Sequence, residues 1–258
     1  MKSIFITGGA RGIGLATARL FLSHHWQVGL FDLDDEALQE AKSELSNDLL
    51  TIYAGNVQII SDVKTALKSF ADLNGGEITV LHNNAGIVEV GEFDQQSLEI
   101  HHRIVDINLK GLITVTYEAL PYLKAAKGAW IINMSSASAI YGNPEITTYA
   151  ASKVAIKSLT EGWSIAFHKY QISVCDLLPI YVRTRMVDDY YQKYRNLQLS
   201  EVKLTATSVA QSVWKAAHSK KIHHYLGWET RVYVLLVKWL PASWLPSILR
   251  KVLKYYDR

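Results

Sequence analysis

Tyr149-Ala150-Ala151-Ser152-Lys153 sets a phenol and an ammonium four residues apart. On a helix that spacing puts both on one face. A lysine close to a tyrosine favours the phenolate and draws the phenol's pKa toward the working range of a general acid/base. Ser136 stands thirteen residues upstream, just past the apolar run 131–134. A hydroxyl at the carboxyl edge of a strand could hold a substrate oxygen beside the tyrosine. Taken alone, most Tyr-x-x-x-Lys pairs are surface helix contacts, so the combination matters more than the pair.

A second set lies near the start, at Thr7-Gly8-Gly9-Ala10-Arg11-Gly12-Ile13-Gly14. Glycines at 8, 12 and 14, between a strand and a helix, let backbone approach a diphosphate whose charge the helix N-terminus favours. The next strand ends at Asp32, 18 residues past Gly14. A carboxylate there can accept both hydroxyls of an adenosine ribose and repels a 2′-phosphate, and Asp34 and Asp35 add to that repulsion. Arg11 is the opposing signal, since it could reach a 2′-phosphate from the glycine loop. The carboxylate sits at the recognition point itself, so NAD is expected over NADP. A plainer role for the acidic run is to cap the following helix; Asp34 suits it, whereas Asp32 lies one strand position too early.

These residues need a scaffold of strands alternating with helices. Strands are expected at 3–7, 28–31, 50–54, 78–82, 130–134 and 172–178, and helices at 12–25, 34–45, 61–73, 98–125 (broken near 108–111) and 148–170. That pattern predicts an α/β fold: a Rossmann-type doubly wound parallel sheet, a single domain with an appended C-terminal helical segment. The domain is expected over 1–227 and the appended segment over 228–258.

Composition agrees. The 258 residues are 49% hydrophobic and 20% charged, which excludes a disordered or low-complexity chain. One cysteine, Cys175, excludes an intrachain disulfide and any multi-cysteine metal site, and its apolar strand makes it a core thiol. The nine histidines form adjacent pairs and singles without ligand spacing, so no metal is expected. No signal peptide and no run long enough to span a membrane are evident, which suggests a cytoplasmic protein. The charge is uneven: from Lys215 onward nine basic residues face two acidic ones, while the preceding body is slightly acidic. No nucleic-acid partner is expected.

In the order and spacing of its motifs the chain resembles the short-chain dehydrogenase/reductase family, in its branch of about 250 residues. The resemblance rests on the glycine pattern at 7–14, Asn83-Asn84-Ala85-Gly86, Asn108, Ser136, Tyr149/Lys153, and Pro179 followed by Val182 and Thr184. It covers about residues 1–220 and implies a catalytic tetrad of Asn108, Ser136, Tyr149 and Lys153. Tyr149 would exchange a proton with the substrate oxygen that Ser136 orients. Lys153 would hold the nicotinamide ribose and bias the tyrosine toward phenolate, and Asn108 would anchor a water linking Lys153 to solvent. The implied cofactor-binding set is Gly8, Arg11, Gly12, Ile13, Gly14, Asp32, Leu33, Asn56, Val57, Asn84, Ala85, Gly86, Tyr149, Lys153, Pro179, Val182 and Thr184. A homodimer or homotetramer is implied as well, with the 148–170 helix at an interface.

Two positions depart from the family pattern. Asn56 replaces the usual aspartate before the adenine-side valine, and Pro179 is followed by Ile180 where the family has glycine. A branched residue resists positive φ, so either the loop runs differently or Ile180 forms an apolar wall near the substrate. The resemblance places a substrate lid at 186–204, where Tyr190, Tyr191, Tyr194 and Leu197 suit a hydrophobic alcohol or carbonyl compound or ordinary helix packing. The tail carries three of the seven tryptophans (228, 239 and 244) and an amphipathic pattern over 247–256. It fits membrane-surface contact, or packing on the domain or on a partner subunit. A non-catalytic NAD(H)-binding regulator on the same fold is the rival to the enzyme.

Overall fold

The computed structural model describes residues 2–180, 182–183 and 204–227, with scattered positions between 230 and 248. Strand β1 (Ser3–Thr7) leads through the glycine loop into helix α1 (Gly12–Ser23), and β2 (Gln27–Asp32), α2 (Asp35–Leu45), β3 (Leu50–Ala54) and α3 (Ile60–Asp72) follow. The second half runs β4 (Val80–Asn83), α4 (Leu98–Val105), α5 (Leu112–Ala125), β5 (Trp130–Met134), α6 (Thr147–Ala166) and β6 (Ser173–Pro179). The short pair β7 (Val182–Arg183) and β8 (Leu204–Thr205) precedes α7 (Ala206–Ala216) and β9 (His223–Leu226).

Seven strands form one parallel sheet in the order β3-β2-β1-β4-β5-β6-β9. Strand order reverses between β1 and β4, and in such sheets ligands bind at the carboxyl ends beside that switch point. Strands covered on both faces read as continuous apolar runs, and all five residues of β1 are buried. Alternate side chains feed two cores. Ile4, Ile6, Val28 and Leu30 pack with Phe21 of α1, Leu38 of α2 and Val213 of α7. Phe5, Phe31, Leu81 and Ile131 pack on the other face with Phe70 of α3 and Val115 of α5. This is the single-domain doubly wound architecture expected from the sequence.

Several boundaries differ. The expected interruption near 108–111 is no break: Asp106–Gly111 forms a π-helical turn that joins α4 to α5. An inserted residue of that kind re-aims one side chain without ending the helix, and here it turns Asn108 into the interior, fully buried. The 148–170 helix ends at Ala166, followed by a 3-10 turn at His168–Tyr170. The sheet also has an edge strand, β9, that the sequence reading omitted. Its His223 opposes Asp176 in register and bonds that buried carboxylate at 2.8 Å through Nδ1. Asp34 caps α2 by accepting from the Ala37 amide, as expected.

Thr184 and lid residues 186–203 lie outside the described residues, as does most of 228–258. Thr230 is fully buried, whereas Trp239 and Trp244 are exposed. Among the described residues no helix is long and apolar enough to cross a membrane, and no cluster of three His, Cys, Asp or Glu side chains could hold a metal ion.

Candidate active site

The carboxyl ends of β1, β2, β4, β5 and β6 open into one cleft of about 780 Å³. Its wall includes Gly8, Arg11, Gly12, Ile13, Asp32, Leu33, Asn56, Val57, Asn84, Ala85, Gly86, Ser136, Tyr149, Lys153, Pro179 and Val182. Nearly all the expected site residues are therefore brought together. Gly14 and Asn108 stand behind that wall, and Thr184 is outside the described residues.

At the nucleotide end, Gly8 adopts φ +63° and lies so close to the β4 loop that a Cβ on it would meet the Ala85 Cα at 2.8 Å. A Cβ on Gly14 would meet the Gly8 carbonyl oxygen at 2.3 Å, so Gly14 is a packing glycine of the loop. The N-cap of α1, Arg11, makes no side-chain cap bond, which leaves first-turn amides facing the cleft for an anion. Asp32 accepts from the Ala10 amide at 3.0 Å and from the Asp34 amide at 3.2 Å. These bonds fix its carboxylate at the cleft wall and leave lone pairs for further donors. Arg11 pairs with Asp34, itself a wall residue, and Glu40 lies 4.0 Å from its other nitrogen. Glycine approach, helix terminus and fixed carboxylate together fit a dinucleotide.

The two loops flanking the switch point are tied by a residue to which the sequence reading gave no role. Thr7 Oγ1 accepts the Asn84 and Ala85 amides, each at 3.1 Å. Asn84 returns two bonds from its side-chain amide to the Thr7 and Gly8 carbonyls. Past the end of β3, the Asn56 side-chain oxygen accepts from the Gln58 amide at 2.9 Å.

At the catalytic end, Ser136 leaves β5 and Tyr149 and Lys153 project from the first turns of α6. Burial raises the Tyr149 phenol above its ordinary value, and a bond with the Ser136 hydroxyl pulls it partway back. The ammonium sits 5.4 Å from the tyrosine ring centre and donates to the Met134 carbonyl at 2.8 Å, so desolvation prevails. Burial also pushes Lys153 itself down to about 8.

Asn108 does not bond Lys153 directly. Its side chain takes the Ile87 amide at 2.8 Å and donates to the Ile87 carbonyl at 2.9 Å and to Ser152 at 3.2 Å. It therefore pins the loop after Gly86 against α6. Beyond Tyr149 the wall continues through Ile87, Val88, Val90, Tyr141, Asn143, Glu145, Ile146 and Ile180. The reading missed most of these, because a 3-10 loop of mixed residues carries no periodic signal. The described non-glycine residues with positive φ are His25, Ser46 and Gln171. Ile180 thus avoids the left-handed region, and its side chain lines the cleft.

Comparison with known proteins identifies the family. Residues 2–195 match the family described as short chain dehydrogenase. The chain is 32% identical over 205 residues to a 3-oxoacyl-[acyl-carrier-protein] reductase FabG of Thermotoga maritima, covering 79% of this chain and 83% of that one. It is 31% identical over 216 residues to galactitol 2-dehydrogenase of Agrobacterium fabrum, covering 82% of each. A crystal structure of 3-ketoacyl-(acyl-carrier-protein) reductase from Brucella melitensis complexed with NADH superposes with a TM-score of 0.78 at 22% identity, over 87% of this chain and 96% of that one. That likeness speaks to the fold, and the sequence matches decide the family: the chain belongs to the short-chain dehydrogenase/reductase oxidoreductases.

Proposed function

We propose that the chain is an NAD(H)-dependent oxidoreductase that interconverts a hydrophobic alcohol and its carbonyl compound. The observation that carries this reading is the meeting of Ser136, Tyr149 and Lys153 in one cleft whose far end holds a fixed Asp32 carboxylate. When bound, the nicotinamide supplies or accepts the hydride. Tyr149 gives or takes the proton at the substrate oxygen, which the Ser136 hydroxyl orients. Lys153 contributes a buried cation beside the phenol, where low dielectric strengthens its effect on charge developing at the phenolic oxygen.

Two features support NAD over NADP. Asp32 would repel a 2′-phosphate, and Arg11, the residue that could welcome one, is held by Asp34 beside Glu40. The hydrophobic substrate class rests on Ile87, Val88, Val90, Ile146 and Ile180 in the wall. A homodimer or homotetramer is part of the same reading; exposed Val154 and Ile165 on α6, with Ile113 and Tyr117 on α5, offer apolar surface for it. The exposed Trp239 and Trp244 of the tail suit contact with a membrane surface.

The test is turnover of NAD⁺ and NADH with a panel of hydrophobic alcohols and ketones. Change in absorbance at the reduced-nicotinamide band with at least one substrate supports the reading. Tight NADH binding with no turnover across the panel would favour the non-catalytic regulator instead.

A further inference from the structure

The reacting hydroxyls belong to different elements, Ser136 to the exit of β5 and Tyr149 to the start of α6. Their alignment depends on how far α6 is advanced along the strand. Apolar packing alone fixes this poorly, because a helix can slide about 1.5 Å per residue over a greasy face. Directional bonds between buried polar groups resist such a slide.

Three such bonds join β5 and its exit to α6. Ser135, 3% exposed, donates from Oγ to the main-chain carbonyl of Lys153 at 3.1 Å. Asn133 donates to the Thr160 hydroxyl at 2.9 Å, and its own oxygen accepts from Asn83 of β4 at 2.9 Å. Asn133 and Ser135 share one face of the strand, while Lys153 and Thr160 lie two turns apart on one side of the helix. Between the two strand residues, the Met134 carbonyl accepts the Lys153 ammonium. Lys153 is thus gripped by its main chain and by its side-chain tip from consecutive residues. The Ser135 amide is itself held by the Leu177 carbonyl of β6 at 3.0 Å, so the grip is anchored in the sheet.

We propose that Ser135 is a positioning residue whose hydroxyl, by bonding the Lys153 carbonyl, sets the register of α6 on β5 and so holds Tyr149 and Lys153 against Ser136. The proposal rests on the function proposed above, since it concerns the alignment of that chemistry. Ser135 borders the cleft, but its hydroxyl is spent on the Lys153 carbonyl and takes no part in the chemistry of this scheme. The Asn133–Thr160 bond stays in place when Ser135 is changed, so the fold has a second tie and the effect falls on geometry.

The test compares Ser135→Ala and Ser135→Thr with the wild type, all as full chains. Two readouts are taken: steady-state kinetics, and the pH midpoint of the Tyr149 13Cζ resonance in tyrosine-labelled protein, assigned by its loss in Tyr149→Phe. Ser135→Ala should lower kcat about tenfold or more, as misalignment at a reacting centre does, with KM changed less than about threefold. Its Tyr149 midpoint should move by about half a pH unit or more as the surroundings of the phenol change, and NADH binding should persist. Ser135→Thr, which keeps the hydroxyl, should recover most of both. An unchanged midpoint together with unchanged kcat overturns the proposal. So does a fall in thermal stability alone, which would make Ser135 an ordinary packing residue. If the wild type turns over no substrate, the functional reading fails on its own, and the resonance midpoint alone decides the role of Ser135.

Discussion

Replacing Lys153 by methionine should stabilise the fold while ending turnover. The lysine is 4% exposed, and burial lowers its pKa from 10.5 to about 8. That fall corresponds to about 3 kcal/mol held against the charged form. Below pH 8 the folded and unfolded chains both carry the proton, so the penalty is present in full. Between pH 8 and 10.5 the folded protein has released a proton that the unfolded chain still binds, and stability therefore rises with pH. Above 10.5 both forms are neutral and the penalty is gone. Methionine fills similar space without a charge. It gives up the bond to the Met134 carbonyl, at a cost of about 1 kcal/mol. The net expectation near pH 7 is a gain of about 2 kcal/mol, or about 5 °C in Tm for a chain of this size. Urea denaturation followed by circular dichroism at pH 6.5, 8 and 9.5 measures it. A methionine variant less stable than the wild type at pH 6.5, or an advantage that does not shrink between pH 8 and 9.5, would refute the reasoning.

Two further outcomes are expected. The wild type should bind NADH at least about tenfold tighter than NADPH, a difference of about 1.4 kcal/mol, and Asp32→Asn should narrow the ratio below about threefold by removing the repelling charge; tryptophan quenching measures both, and NADPH bound more tightly by the wild type would show that Arg11 prevails. His223→Ala should destabilise the chain by about 3–5 kcal/mol, because it leaves the fully buried Asp176 carboxylate without its partner. Burial raises the Asp176 pKa, and a carboxyl so raised loses stability as pH climbs through its folded value. The variant's deficit should therefore shrink toward acid pH in denaturant titrations, and a loss under about 1 kcal/mol at neutral pH would contradict the assignment.

How much of this was legible depended on how local the signal is. The strands at 3–7 and 130–134 declared themselves because a parallel sheet covered on both faces calls for mostly apolar residues, and edge strand 50–54 through its β-branched and aromatic residues. The cleft residues were legible because a glycine loop, a strand-end carboxylate and a Tyr-x-x-x-Lys pair each need particular side chains at particular spacings. Edge strand β9 was not legible. His223-His224-Tyr225-Leu226 carries no clear apolar alternation, and what makes it a strand is main-chain pairing with β6, whose Asp176 lies 47 residues away. Helix α7 could have been found: Thr205 and Ser208 form a reciprocal cap, and Val209, Val213 and Ala216 recur at helical spacing. The direction of the Tyr149 shift was beyond sequence reasoning, because it depends on how deeply the fold buries the phenol and on where the Lys153 ammonium points. The Ser135 bond was hidden for the same reason, since nothing in a serine pair tells which hydroxyl faces the cleft and which faces a helix.

The central claim is that Tyr149 handles the proton, and Tyr149→Phe tests it most directly. With a substrate that the wild type turns over, the account predicts that the variant loses turnover, because the ring keeps its packing and only the hydroxyl is gone, while NADH binding measured by tryptophan quenching stays close to the wild type. A variant that turns over substrate at near wild-type rates would contradict the account.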